Sequence, residues 1–526
     1  MKKIIALLLI TTLTFSIPVG FDTLKTEGKV KTIKVNKKNF PDKAFRKCLK
    51  KCKGYKSGKI KTNVDKIKLS GVKKYKGLER FSYIDYLSIN SNVGKDIIIE
   101  GTNKTKINSL SLKSSKNNAI TIKKFKLFEI DGDYSNHAKL VLDNNGFIDK
   151  DYQFDIFGRF NGLKVTNCNT LTYLDPIGFK LKKLEVSNCS SLKDIHCGDC
   201  DLNNISFNNL NKLTTLNCSS NNIKNLDFLK NNNNIKELEV ADNKLGNYDY
   251  SMFSSLKLLD CTNTGITKFN LSKNTILETL ICGENPFTSI DISKNVNLKK
   301  FELCKSVVKS IDLTKVNKLK ELIIDKTLIS TINLGTLTKL KELTLNRGIF
   351  RTVDFSNNIN LTNIELNKNK YLNSVNLTNN KKLYRIIITK NEKLENLFLP
   401  KSKSVDYIDC SKNKLKKLDI TKNKGLDTLE CYSNRLKKLN TSKNKKLECL
   451  DCSKNKLRKL NLSKNIKLYI LDCSKNKFRK LNLSKNKKLD ELYCKHNKIK
   501  KLDIRNNKHL ARRDIKCDKK VKIIKK

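Results

Sequence analysis

The sequence predicts a β-rich solenoid. Three observations carry that prediction: a 21-residue repeat, an apolar triplet of period two in each half of it, and an asparagine that returns after each triplet. The repeat is plainest from Leu447, which opens LECLDCSKNKLRKLNLSKNIK, followed by LYILDCSKNKFRKLNLSKNKK from Leu468 and LDELYCKHNKIKKLDIRNNKH from Leu489. Earlier units open at Leu426, Val405, Leu383, Leu361, Leu340, Leu319, Leu298, Leu277, Leu256, Ile235, Leu213, Leu192 and Leu171, so 171–509 holds sixteen coils, a few with one extra residue.

Each unit contains one half-pattern twice, as in Leu447, Leu450, Cys452 and Asn455, then Leu457, Leu460, Leu462 and Asn465. An alternating triplet is a strand with one buried face, and a half-unit of ten or eleven residues is too short for a helix with its turns. Each coil should therefore make two short strands, and stacking should give parallel strands on two faces around a flat apolar core. The asparagine amides can bond unpaired main-chain groups where the chain turns, and stacked copies are expected to bond one another. Asn413, Asn434, Asn455, Asn476 and Asn497 form one such ladder, and Asn423, Asn444, Asn465, Asn486 and Asn507 the second.

The other elements follow from the N-terminus. Residues 1–20 read as a secretory signal peptide: Lys2 and Lys3 precede an apolar run from Ile4 to Ile17 that is too short to span a bilayer comfortably. The small-x-small cleavage context is poor, which leaves retention as an N-terminal anchor as the alternative. No later segment reads as a membrane span, and no sorting motif or lipidated cysteine is recognisable. Residues 21–80 read as a cap in which Phe40-Pro41-Asp42 opens a helix with Ala44, Phe45, Cys48, Leu49 and Cys52 on one face. Such a cover shields the open edge of the first coil. In 81–170 the asparagines vanish, but strand pairs continue at Leu87/Ile89, Ile97/Ile99, Leu110/Leu112, Ile120/Ile122, Phe128/Ile130, Leu140/Leu142, Phe154/Ile156 and Leu163/Val165. These read as degenerate coils of the same solenoid, with a separate small β domain as the alternative. Residues 510–526 read as a basic, frayed tail.

The net charge of +57 rests on 108 Lys and Arg against 51 Asp and Glu, which points either to a polyanionic partner or to a compositional bias toward Lys, Asn and Ile. Disorder is excluded by the fixed spacing of apolar residues. The seventeen cysteines would ordinarily suggest disulfides in an exported chain. Position argues otherwise, because Cys197, Cys218, Cys261, Cys282, Cys410, Cys431, Cys452, Cys473 and Cys494 all take the sixth position of their unit, where others carry Leu, Ile, Val or Phe. The Cys197–Cys200 pair has no partner pair to complete a metal site. Cys168 and Cys189, at one turn of consecutive coils, are the best disulfide candidate.

The repeat resembles the leucine-rich-repeat family, specifically its bacterial 21-residue class with a nested ten-to-eleven-residue period, over Leu171 to His509. That resemblance implies a scaffold for protein or glycan binding and does not name the partner. The segment NKKNFPDKAFRKCLKK is similar to the N-terminal cap of clostridial-type surface proteins with these repeats, in which an acidic, EF-hand-like loop often follows. Here KCKGYKSGKIKTNVDKI has Lys, Tyr and Ser where oxygen ligands should stand, so no metal and no cofactor is expected.

With the register set, two surfaces stand out. Lys416-Lys417, Lys437-Lys438, Arg458-Lys459, Arg479-Lys480 and Lys500-Lys501 occupy equivalent positions of five coils and should make a basic stripe roughly 20 Å long. Upstream equivalents such as Thr267-Lys268, Thr288-Ser289 and Asn373-Ser374 are less basic, so the stripe is local. On the first half-units Asp409, Glu430, Asp451 and Asp472 recur at position five, with Tyr407, Tyr469 and Tyr493 nearby. Either surface also reads as ordinary solvated charge. The stripe suits an anionic cell-wall or host polysaccharide, and the acidic, aromatic face suits a protein ligand. Nucleic acid follows from charge alone, and export weighs against it. Four scattered histidines (His137, His196, His496, His509), and no HExxH, GxSxG or phosphate loop, argue against an enzyme. The expectation is a monomeric, exported, surface-associated or secreted bacterial binding protein.

Overall fold

The structure is a computed structural model and describes residues 31–91, 94–114, 119–132, 139–147, 156–158, 160–176, 180–510 and 515–525. The expected signal peptide, and Phe154 of the expected strand pairs, lie outside the described residues. No helix among the described residues is long and apolar enough to cross a membrane.

The cap follows its local chemistry. Asp42 accepts the Phe45 N–H at 2.9 Å and so starts the helix Lys43–Leu49, and its second carboxylate oxygen takes the N–H groups of Lys73 and Lys74. Phe40, Phe45 and Leu49 are fully buried, with the Phe40 ring 5.3 Å from Phe45 and 6.1 Å from Phe81. The loop that would be acidic in similar caps is a hairpin between Tyr55–Lys56 and Lys59–Lys61. Both its central residues, Ser57 and Gly58, have positive φ, as a two-residue turn of this hand requires.

The first solenoid strand, Asn63–Ser70, already pairs in parallel with Tyr83–Ser91, so the stack begins inside the segment expected to be cap. Up to Gly158 the chain alternates between two six-stranded parallel sheets around the core, and one of them continues to Asn208 opposite the first strands of a third sheet. One expected pair is corrected: Leu127 and Ile130, not Phe128 and Ile130, are the buried residues of Lys126–Gly132. Pairing skips Asp85, Asn108 and Phe128 in adjacent strands, and that stacked irregularity resets the alternation.

From Tyr173 onward one strand from every expected unit joins a single parallel sheet of seventeen strands, ending at Ile515–Lys516. The seventeenth comes from the supposed tail. Ile515–Lys516 pairs with Glu491–Tyr493 and Lys522–Ile524 with Lys501–Asp503, so the tail closes a further coil rather than fraying. Its apolar Ile515, Val521 and Ile523 continue the core pattern.

The opposite face departs from the expectation of a strand in every half-unit. Among the described residues past 208 its ladders are those of Ser374–Asn376 with Asn396–Phe398 and of the final coil. Elsewhere in the C-terminal coils one main-chain bond per coil replaces the ladder, such as Lys456 N–H to Leu436 O at 2.9 Å and Lys477 N–H to Leu457 O at 2.8 Å. In these coils Asp419, Asn440, Asn461 and Asn482 each accept the N–H two residues on, which turns the backbone.

The asparagine ladders are present but join differently from the expectation. Asn434 donates to Cys431 O of its own coil and Cys410 O of the preceding one, and accepts from Leu415 N–H. In the second ladder Asn444 donates to the main-chain carbonyl of Asn423, and Asn465 to that of Asn444. Side chain meets backbone, because an amide that bonds both coils satisfies more orphaned groups than one facing another amide. The residue before each first-ladder position adopts a left-handed conformation in coil after coil, as at Lys412, Ser433, Lys454, Lys475 and His496, with φ of 53–58°. Its N–H then reaches the next coil, as from Lys475 to Lys495 O at 2.8 Å.

All nine sixth-position cysteines are buried in the core. Cys168 and Cys189 are free thiols in adjacent coils, and the hydrogen bond between them, with burial, holds the Cys168 thiol well above its usual range.

Candidate binding surfaces

The basic stripe is assembled by register. Strands Tyr407–Asp409, Thr428–Glu430, Cys449–Asp451, Ile470–Asp472 and Glu491–Tyr493 pair without slippage, so every later position of these coils also stacks. All ten predicted stripe residues, Lys416, Lys417, Lys437, Lys438, Arg458, Lys459, Arg479, Lys480, Lys500 and Lys501, are exposed. Between them the buried Leu415, Leu436, Leu457, Phe478 and Ile499 anchor each turn to the core. A further basic column, missed in the sequence reading, lies one residue before these anchors at Lys414, Arg435, Lys456, Lys477 and Lys498. It was visible as the Lys or Arg preceding each apolar anchor, but its alignment depends on the inter-coil bonds that its own N–H groups make.

No Asp or Glu occurs in 410–418, 431–439, 452–460, 473–481 or 494–502. Among the described residues, the ion pairs reaching the stripe both end on Glu395, which lies 2.8 Å from Lys416 and 3.9 Å from Arg435. Lys416 above all, with Arg435 adding to it, holds the Glu395 carboxyl below its usual range.

The acidic face is partly committed to structure. Asp409, Glu430, Asp451 and Asp472 stand in one column with Tyr493. Asp409, Asp451 and Asp472 accept the N–H of Ser411, Ser453 and Ser474 at 2.8–2.9 Å, which turns the chain out of the strand. Asp451 and Asp472 are only 9% and 7% exposed. Burial raises the carboxyls of Asp409 and Glu430, and pushes Asp451 up to about 6, with neighbouring carboxylates adding to it. Tyr407 is half-buried, bonded to Glu430 at 3.1 Å and lying under the Arg385 guanidinium at 4.7 Å. Tyr493 bonds Glu491, and Tyr469 bonds Asp490 yet remains 49% exposed. Tyr384, 43% exposed, and Arg385 extend this face in the coil before, outside the periodic acidic position that marks it in the sequence.

No protein-family model and no curated protein sequence matches the chain. Among solved structures it is similar to the functional domain of InlJ from Listeria monocytogenes, described as including a cysteine ladder. There the identity is 28% over 57% of this chain and 62% of that one, with a TM-score of 0.46. The chain thus spans less than two thirds of that domain. A leucine-rich-repeat protein of Leptospira interrogans matches at 20% identity, over 61% of this chain and 85% of that one, with a TM-score of 0.44. The plant peptide hormone receptor RGFR1, in complex with RGF2, matches at 16% identity over 87% and 93% of the two chains, with a TM-score of 0.51. That last likeness is one of fold alone. Taken with the chain's own 21-residue units and the parallel stack they build, it shows a leucine-rich-repeat solenoid fold.

Proposed function

We propose that the chain is an exported binding and adhesion scaffold, held at the bacterial cell surface or released, whose basic stripe binds anionic cell-wall or host polysaccharide. One observation carries this reading: ten exposed cations stand in register over five coils with no acidic residue among them. Like charges about 4.8 Å apart repel unless counterions or a polyanion cover them, and a polyanion does so with release of counterions. We read the chain as a non-enzyme, since its acidic groups repeat from coil to coil whereas catalysis needs one singular pocket.

The test is retention on an immobilised anionic polymer such as teichoic acid or heparin. The full chain should be held and then eluted by salt, and the variant with all ten stripe residues changed to Gln should pass through. Equal retention of both would overturn the reading.

A second reading is supported by the exposed Tyr384 and Tyr469 on the strand face. Exposed aromatics with mixed charge suit a protein interface, so this face would serve an adhesin that grips a host or neighbouring-cell protein. Binding would then resist salt and be lost on replacing Tyr407, Tyr469 and Tyr493.

A further inference from the structure

We infer that the stripe is an axial track for one linear, flexible polyanion, and that Glu395 is a built-in counterion closing its N-terminal end, which such a ligand has to displace. The inference rests on the proposed polyanion reading and adds the ligand's shape, its direction and a specific competitor.

Shape follows from the lattice of charge. Along the solenoid the columns are straight, because the strands keep register and the back of each coil repeats one inter-coil bond at 2.8–2.9 Å. Across the solenoid the buried anchor Leu457 falls between Lys456 and Arg458, so the two sets of columns flank a line of anchors. A chain laid along the axis, over the anchors Leu436, Leu457 and Phe478, has cations on both sides for the full roughly 20 Å of the stripe.

Direction follows from what bounds the track. Toward the N-terminus the cations thin out: Lys309 and Arg351 keep the first stripe column, but the other positions carry Val307 and Leu328, each 45% exposed, and the hydroxyls of Ser310, Ser330, Thr331 and Thr352. At the junction sits Glu395, its carboxylate paired with Lys416 and within 3.9 Å of Arg435. It occupies the place that the first anionic group of a ligand would take, and so it competes with that ligand from within the fold.

The experiment measures the full chain's affinity for inorganic polyphosphate of graded length across a range of salt. Affinity should climb with length until the polymer spans roughly 20 Å and then level off. Glu395→Gln should bind long polyphosphate several-fold more tightly and with a steeper salt dependence, since each added contact contributes about threefold over a fourfold change in salt. Glu392→Gln, the same charge change in the same coil on a residue in no ion pair with the stripe, is the control and should have a smaller effect. Unchanged thermal unfolding of both variants shows that folding is not the cause. Equal affinity for short and long chains, or equal effects of the two variants, overturns the inference and leaves the polyanion reading standing. So does binding to anionic phospholipid vesicles as tight as to the long polymer. Absence of binding to any polyphosphate at low salt removes both.

Discussion

The asparagines of the second ladder share a main-chain pattern but not a side-chain one. Asn465 donates twice to the preceding coil and accepts the Thr441 hydroxyl at 2.7 Å. Asn444, Asn486 and Asn507 donate in the same way, but their buried side-chain oxygens have no protein donor. Thr441 stands where the neighbouring coils carry Ile420, Leu462 and Leu483, so one hydroxyl makes the difference. Losing it leaves a buried acceptor unmet, which costs about 1–3 kcal/mol. Thr441→Val should destabilise the chain by that order in urea unfolding. The converse is sharper: Leu462→Thr should be more stable than Leu462→Val, reversing the usual core preference, because the new hydroxyl faces Asn486 as Thr441 faces Asn465. A Val variant as stable as the Thr variant would sink the account.

In the strand face the relevant unit is the column. Asp409, Glu430, Asp451 and Asp472 were legible in the sequence as a periodic acidic position, but not what they do there. Sequence periodicity reports which face a residue shares, whereas burial depends on how sharply the chain leaves the strand, and the Asp side chains themselves make that turn. Asn217 performs the same service upstream, accepting the Ser219 N–H at 3.0 Å without charge. Charge at Asp451 is therefore dispensable to the turn and costly to the fold. Its carboxyl titrates near 6 in the folded chain, against 3.8 for the ordinary group, so folding takes up a proton between those values. The sign follows: the folded state bears its full penalty above pH 6, and the penalty disappears as pH falls toward 4. Asp451→Asn should raise stability at pH 7 by about 1–3 kcal/mol. The gain should shrink to nothing near pH 4 in unfolding curves taken across that range, and an equal gain at both pH values would contradict the assignment.

At the scale of the whole molecule, the repeat made the architecture legible because each coil contacts mainly its neighbours, so a local pattern specifies a global stack. What escaped were features that arise between coils. Most C-terminal coils carry one inter-coil main-chain bond on the second face instead of a ladder, and Ile515, in a segment that looked like a frayed tail, completes the last coil. The charge columns belong to the same class, since Arg435 and Lys456 become neighbours only when the coils are stacked. A net charge of +57 set in register must oppose folding wherever counterions are scarce. Screening at 0.15 M salt acts over about 8 Å, longer than the step of about 4.8 Å between coils, so the nearest cations still repel while the more distant ones are quenched. Thermal stability should therefore rise steadily from low to moderate salt. The rise should be smaller in a variant with Lys437, Arg458 and Arg479 changed to Gln, because those side chains hold the centre of the stripe. If that variant melts with the same salt dependence as the unaltered chain, the repulsion is spread evenly over the surface and the stripe is not its focus.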